Sequence, residues 1–121
     1  MKIDLKANPF FLSNDDIRWV EETFSAMTLD ERVGQLFVPL GLTGDKNYFH
    51  YLIHDCHVGG VMYRTGPKEE VRTIHETIQN MAKIPLLIAA NTESGGDGIC
   101  LEGTSFGKPM AVAATDNADF A

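Results

Sequence analysis

A polar cluster closes the most apolar run of the chain: Ile84-Pro-Leu-Leu-Ile-Ala-Ala-Asn91-Thr92-Glu93, followed by Ser-Gly-Gly-Asp-Gly98. Asn91 can donate to and accept from hydroxyl groups, and an ionised Glu93 accepts through both carboxylate oxygens. Such side chains at the end of a buried strand suit a polyhydroxylated ligand such as a sugar. The competing reading is that Asn91, Thr92 and Glu93 only cap the strand and orient the glycine loop behind it. Arg64 ends a second apolar run, Val58-Gly-Gly-Val-Met-Tyr63. Its guanidinium can hold a hydroxyl, orient Glu93 through a charge-assisted bond, or form a purely structural ion pair. Tyr63 has the shape to stack on a sugar ring, although an aromatic in this position more often packs.

Other sets of residues fall away on their spacing. His50, His54 and His57, with Asp55 and Cys56, invite a metal because residues four apart share a helix face. Zinc needs converging tetrahedral ligands, and His57 follows an expected helix end. The better reading is an amphipathic helix with solvent-facing imidazoles and no metal. His75 is expected on the surface of another helix. Gly103-Thr-Ser-Phe-Gly107-Lys108-Pro leaves three residues between its glycines, whereas a Walker phosphate loop needs four before Gly-Lys and then Ser or Thr. The dinucleotide fingerprint also fails, because Leu101 stands where its third glycine belongs. Asp97 and Glu102 read as solvated loop charges rather than a catalytic pair. No cofactor is implied.

The elements that must position these groups follow from periodicity and caps. Met1–Leu12 reads as an irregular lead-in with Pro9 opposing an early helix. Ser13-Asn-Asp-Asp16 resembles a capping box, and Ile17, Val20, Phe24 and Met27 recur at helical spacing. Thr28-Leu-Asp-Glu31 is a second box, which restarts the helix with Val33, Leu36 and Phe37 expected inward. Leu36–Leu40 is a first strand candidate, ending near Gly41 and Gly44. Asp45 to Asp55 reads as a helix carrying Tyr48, Leu52 and Ile53. Val58–Tyr63 is a second strand, whose glycines mark close approach of a neighbour. Pro67 at the first helical position, then Glu69 and Glu70 at the positive end of the dipole, open a helix. Its stripe is Val71, Ile74, Ile78 and Met81. Leu86–Ala90 is the third strand, expected to be buried on both faces. This βαβαβ order predicts a parallel sheet, and ligands of such sheets gather at the C-terminal ends of the strands. Asp116-Asn-Ala-Asp119 looks like a helix start just before Ala121, which suggests a truncated chain.

Composition sets the outer bounds. A chain of 121 residues, 44% hydrophobic and 22% charged, is one domain's worth of soluble globular protein. Net charge of −7 without a basic cluster argues against nucleic acid. No apolar run is long enough to span a bilayer, and Asp4 and Lys6 interrupt any signal-peptide core. Cys56 and Cys100 make no disulfide framework, so a reducing cytoplasm is expected.

Four stretches in register resemble the N-terminal part of the family-three glycoside hydrolases, the β-N-acetylhexosaminidase and β-glucosidase relatives. They are Met27-Thr-Leu-Asp-Glu-Arg-Val-Gly-Gln-Leu-Phe37, His57-Val-Gly-Gly-Val-Met-Tyr63, Ile84–Glu93 with Gly95-Gly96, and Thr104-Ser-Phe106 with Met110-Ala-Val-Ala-Ala-Thr115. The resemblance implies a (β/α)8 barrel of about 250 residues, of which residues 1–121 are the N-terminal half, a partial barrel domain. It implies that Asn91 stands where many hexosaminidase relatives carry a sugar-holding aspartate, and that Glu93 matches the glutamate of the same motif. Asp97 stands where relatives often have an arginine. The family's nucleophilic aspartate, its acid/base and its lysine–histidine stretch have no counterpart here.

The leading expectation is therefore the front of a glycosidase acting on terminal β-linked N-acetylglucosamine or glucose. Asn91, Glu93 and Arg64 are its substrate-binding residues, and the chain alone is expected to be inactive. The alternatives are a non-catalytic half-barrel that self-associates through exposed sheet edges, or an open α/β domain binding some small ligand.

Overall fold

A computed structural model describes residues 3–41 and 44–120; Met1, Lys2, Leu42, Thr43 and Ala121, including the first two residues of the expected lead-in, lie outside the described residues. Both N-terminal helices begin at the capping boxes read from sequence. Ser13 caps α1 (Asn14–Ala26) and Thr28 caps α2 (Leu29–Gly34). In each box the hydroxyl accepts from the backbone N–H three residues on, and the acidic side chain at that position accepts from the cap's own N–H.

Three short strands, β1 (Leu40–Gly41), β2 (Gly60–Tyr63) and β3 (Leu87–Ala89), form a parallel sheet in the order β1-β2-β3. Helix α3 (Lys46–His50), which runs on into a π-helical turn over Tyr51–Asp55, connects the first pair. Helix α4 (Lys68–Met81) connects the second. One face of the sheet packs against these helices. Val61 and Tyr63 meet Phe49, Leu52 and Ile53 on one side and Val71 and Ile78 on the other. Val61, Phe49 and Ile78 are wholly buried. Close packing at the foot of β2 depends on glycine, since a β-carbon on Gly59 would collide with the Gln35 carbonyl and one on Gly60 would press on Leu87. The start of β3 is tied to α4 by the Gln79 amide. Its Nε2 donates to the Leu86 carbonyl at 2.8 Å and its Oε1 accepts from the Leu86 N–H at 2.9 Å.

Several expectations need correction. Val33, Leu36 and Phe37 do not point inward: α2 stops at Gly34, and Leu36 is 82% exposed. The first strand is displaced toward Gly41, although the Phe37 and Pro39 carbonyls accept from Gly59 and Met62 and so lead into the pairing. Pro67 is the N-cap of α4 rather than its first helical residue. The third strand is not buried on both faces, because Leu87 is 71% exposed while Leu86 is buried. By register Leu87 belongs with Leu40 and the half-buried Met62 on the sheet face away from the helices, where Leu40 and Leu87 are exposed. His75 is not a surface residue. It is half-buried with its ring edge-on to Tyr63 at 5.6 Å, and its Nε2 is buried without a hydrogen-bond partner. Burial holds its pKa below the ordinary histidine value. Toward the end of the chain, α5 (Pro109–Ala113) is followed by a 3₁₀ turn at Ala118–Phe120, whose Asp119 N–H donates to Asn117. Among the described residues no helix is long and apolar enough to cross a membrane.

The capping boxes make stability acid-sensitive. Hydrogen bonds from Ser13 hold the Asp16 carboxyl below its ordinary pKa, and those from Thr28 do the same for Glu31. Because both folded-state values are depressed, their contribution is complete above the unfolded pKa and is lost as pH falls through the folded one. Thermal melts between about pH 6 and about pH 3 should show a falling midpoint. Ser13→Ala with Thr28→Ala should cost about 0.5–2 kcal/mol per cap near neutrality and flatten that fall. Melting curves for wild type and double variant that stay parallel across the range would refute this.

Candidate functional site

The C-terminal ends of β2 and β3 meet above the sheet. Pairing of Gly60 with Leu87, Val61 with Ile88 and Met62 with Ala89 fixes their register. Continuing it two residues brings Arg64 level with Asn91. Both side chains are exposed and border a hollow of about 620 Å³, whose wall also includes Leu40, Met62, Tyr63, Thr65 and Gly98. A guanidinium with five donors and an amide with both donors and acceptors thus flank one opening. That combination can bind vicinal hydroxyl groups from two sides.

Glu93 lies elsewhere. Together with Thr92 and Ser94 it borders a second hollow of about 760 Å³, closed on its far side by Phe106, Pro109 and Val112. Among the described residues the ion pairs are Arg18–Asp15 and Arg72–Glu69, so the expected charge-assisted bond from Arg64 to Glu93 is not formed. Of the three predicted site residues, the structure brings Arg64 and Asn91 together and sets Glu93 in the neighbouring hollow. Tyr63 is a packing residue. It is buried, its hydroxyl donates to Glu70 at 3.3 Å, and desolvation followed by the Glu70 charge raises its pKa.

The histidine segment is arranged as a helix surface. The His50 and His54 rings lie 4.4 Å apart, tilted by 46°, on exposed positions, and His57 adopts a left-handed backbone with φ of 55°. Its carbonyl accepts from Gln35 Nε2 at 2.9 Å. Among the described residues no three His, Cys, Asp or Glu side chains are grouped to hold a metal ion.

The glycine-rich loop is folded back on itself and onto the head of α4. Gly95, with φ of 127°, bridges to Ser105, and Gly66 pairs with Cys100. The hydroxyl of Thr65 donates to the Gly98 carbonyl at 2.6 Å. Glu102 is not a free loop charge: its Oε2 accepts from the Lys68 N–H at 2.9 Å and from the Cys100 thiol at 3.2 Å. These bonds, the thiol's first, hold its pKa below the usual carboxylate value. Nor is Asp97 simply solvated, since its Oδ1 is buried without a partner. Sequence reasoning missed Thr65 and read Gly98 and Glu102 only as loop residues. Thr65 had a signal, since it follows Arg64 directly, but Glu102 sits 34 positions from its partner and had none.

Comparison with known proteins bears on the family and fold of the chain. The family described as the glycosyl hydrolase family 3 N terminal domain matches residues 28–121. A protein named beta-N-acetylglucosaminidase/beta-glucosidase from Cellulomonas fimi is 44% identical over 117 residues, which is 97% of this chain and 21% of that relative. Among solved structures, beta-glucoside phosphorylase BglX bound to 2FGlc superposes with a TM-score of 0.76 at 36% identity, covering 93% of this chain and 21% of its own. Another structure of beta-glucoside phosphorylase BglX gives 0.73 at 37% identity, covering 93% and 20%. The chain spans about a fifth of the length of these relatives.

The loop's contact with Asn91 can be tested by crowding it. A β-carbon on Gly98 would run into the Asn91 carbonyl, whereas one on Gly96 meets nothing closer than 3.6 Å. Gly98→Ala should destabilise by about 1–3 kcal/mol, and Gly96→Ala should stay within about 0.5 kcal/mol of wild type. Equal melting temperatures for the two variants would show that the loop does not rest on Asn91.

Proposed function

The chain belongs to glycosyl hydrolase family 3, and on that footing we propose that it supplies the substrate-binding front of a β-glycosidase acting on terminal N-acetylglucosamine or glucose. The observation that carries this reading is the register of β2 against β3, which sets Arg64 and Asn91 around one hollow at the strand ends. The two sugars are those in the name of the Cellulomonas fimi relative. Arg64 donates to a hydroxyl from one side and Asn91 both donates and accepts from the other. Glu93, in the adjoining hollow, meets the same substrate at a more distant hydroxyl or at its leaving group.

The three parallel strands are then the first of a (β/α)8 barrel. The face carrying exposed Leu40 and Leu87 supports this, because an apolar face opposite the helices is what a barrel turns to its interior. Retaining glycosidases place two carboxyls about 5–5.5 Å apart, and the nucleophile and acid/base of this reaction come from outside these residues. The acceptor that releases the sugar is either water or phosphate. The second follows from the name of the two solved relatives.

The complete gene product should cleave a chromogenic β-N-acetylglucosaminide or β-glucoside, whereas the 121 residues alone should not. Repeating the assay with inorganic phosphate separates phosphorolysis from hydrolysis through the product formed. Asn91→Ala should lower kcat/KM about tenfold, the worth of one hydrogen bond. No cleavage of either glycoside, with and without phosphate, would end the proposal. Isolated as they stand, these residues expose the edges of β1 and β3 together with the apolar face, so light scattering should find self-association. A monomer at micromolar concentration would contradict that.

A further inference from the structure

We propose that Glu102 is a positioning residue for the sugar site: it fixes the loop after β3 on the head of α4 and so sets Asn91 beside Arg64. This rests on the glycosidase reading above and adds to it a residue outside both hollows. Helix α4 begins at Pro67, which has no side-chain group to cap the first turn. The cap comes from far along the chain instead. One oxygen of Glu102 accepts from the Lys68 N–H, which ties the loop to the helix start, and from the Cys100 thiol, which braces that carboxylate within the loop.

The rest of the contact follows in register. The Gly66 N–H donates to the Ile99 carbonyl at 3.2 Å, the Leu101 N–H to the Gly66 carbonyl at 3.0 Å, and the Thr65 hydroxyl to the Gly98 carbonyl. Gly98 in turn lies so close to the Asn91 carbonyl that no side chain fits between them. Residues 98–102 are therefore fastened one after another to residues 65–68, and the fastening ends on Asn91. Apolar packing contributes little: Leu101 is 64% exposed, and Ile99 is the residue of this segment that reaches the core. Hydrogen bonds thus decide where the loop sits, and Glu102 anchors its far end.

The test uses the complete gene product, with two readouts. In Glu102→Ala, amide hydrogen exchange at Lys68 and Leu101 should quicken about tenfold, and KM for the glycoside should rise about five- to tenfold with kcat within about twofold. Glu102→Gln keeps a carbonyl acceptor for Lys68 and should restore both to within about twofold of wild type. Unchanged exchange in Glu102→Ala overturns the anchor. Faster exchange with unchanged KM overturns the positioning of a sugar contact. Wild-type protein that shows the protected amides but no turnover supports the anchor and overturns the glycosidase reading. Should Glu102→Ala fail to fold, Glu102→Asp, which shortens the acceptor's reach to the Lys68 N–H, is measured in its place, and its KM must rise in the same direction or the proposal fails.

Discussion

Parallel pairing of β2 with its two neighbours is the constraint on which the remaining structure depends. A one-residue slip would turn Val61 and Tyr63 away from the helices and expose the core they build. The same slip would carry Arg64 out of level with Asn91. Core and rim are therefore set by one register, and the glycines at the foot of β2 allow it by letting Gln35 and Leu87 approach the backbone. Burial of the Val61 face makes that register costly to lose, so the polar groups at the strand ends inherit a fixed spacing without bonding to each other.

Above the strand ends a different interaction takes over. The loop after β3 has few apolar contacts, and its path is set by backbone bonds to Gly66 and by side-chain bonds from Thr65 and Glu102. Such bonds are individually modest in water but directional, so they fix position more than they add stability. Glycine is required at Gly98 because the loop lies directly on the Asn91 carbonyl. A rim built this way keeps its polar groups exposed to a ligand while holding their backbone in place.

What could be read from sequence was local. Both capping boxes, the Val71–Ile78 stripe of α4 and the order of strands and helices follow from neighbours within a few positions, and each stands in the structure. Periodicity tells which residues are able to be buried, not whether a partner arrives to bury them. Val33, Leu36, Phe37 and Leu87 are apolar and exposed for that reason. The pairing of Arg64 with Asn91 was legible because a parallel sheet brings strand ends together. The place of Glu93 was not, since the chain turns at once into the Thr92–Gly95 bend. His75 was misplaced, and the bond that exposed Glu102 makes went unread, because the groups they meet, Tyr63 and the head of α4, are joined to them only by the fold.

The sheet's two faces then bear on how the site is built. One face is closed by α3 and α4, and the other carries Leu40 and Leu87 into the open, with Met62 half-buried between them. Hydroxyl recognition at the rim gains strength when water is excluded around it, because a hydrogen bond in a low dielectric is electrostatically stronger. The hollow between Arg64 and Asn91 has Leu40 and Met62 in its wall, so the open apolar face and the polar rim share residues. Covering that face would dry the floor of the hollow while leaving Arg64 and Asn91 reachable from above. The matched relatives, about five times as long as this chain, give a physical sense to that geometry. These residues fix the position of the polar groups, and on the proposed glycosidase reading the covering of the apolar face governs how tightly those groups hold a sugar.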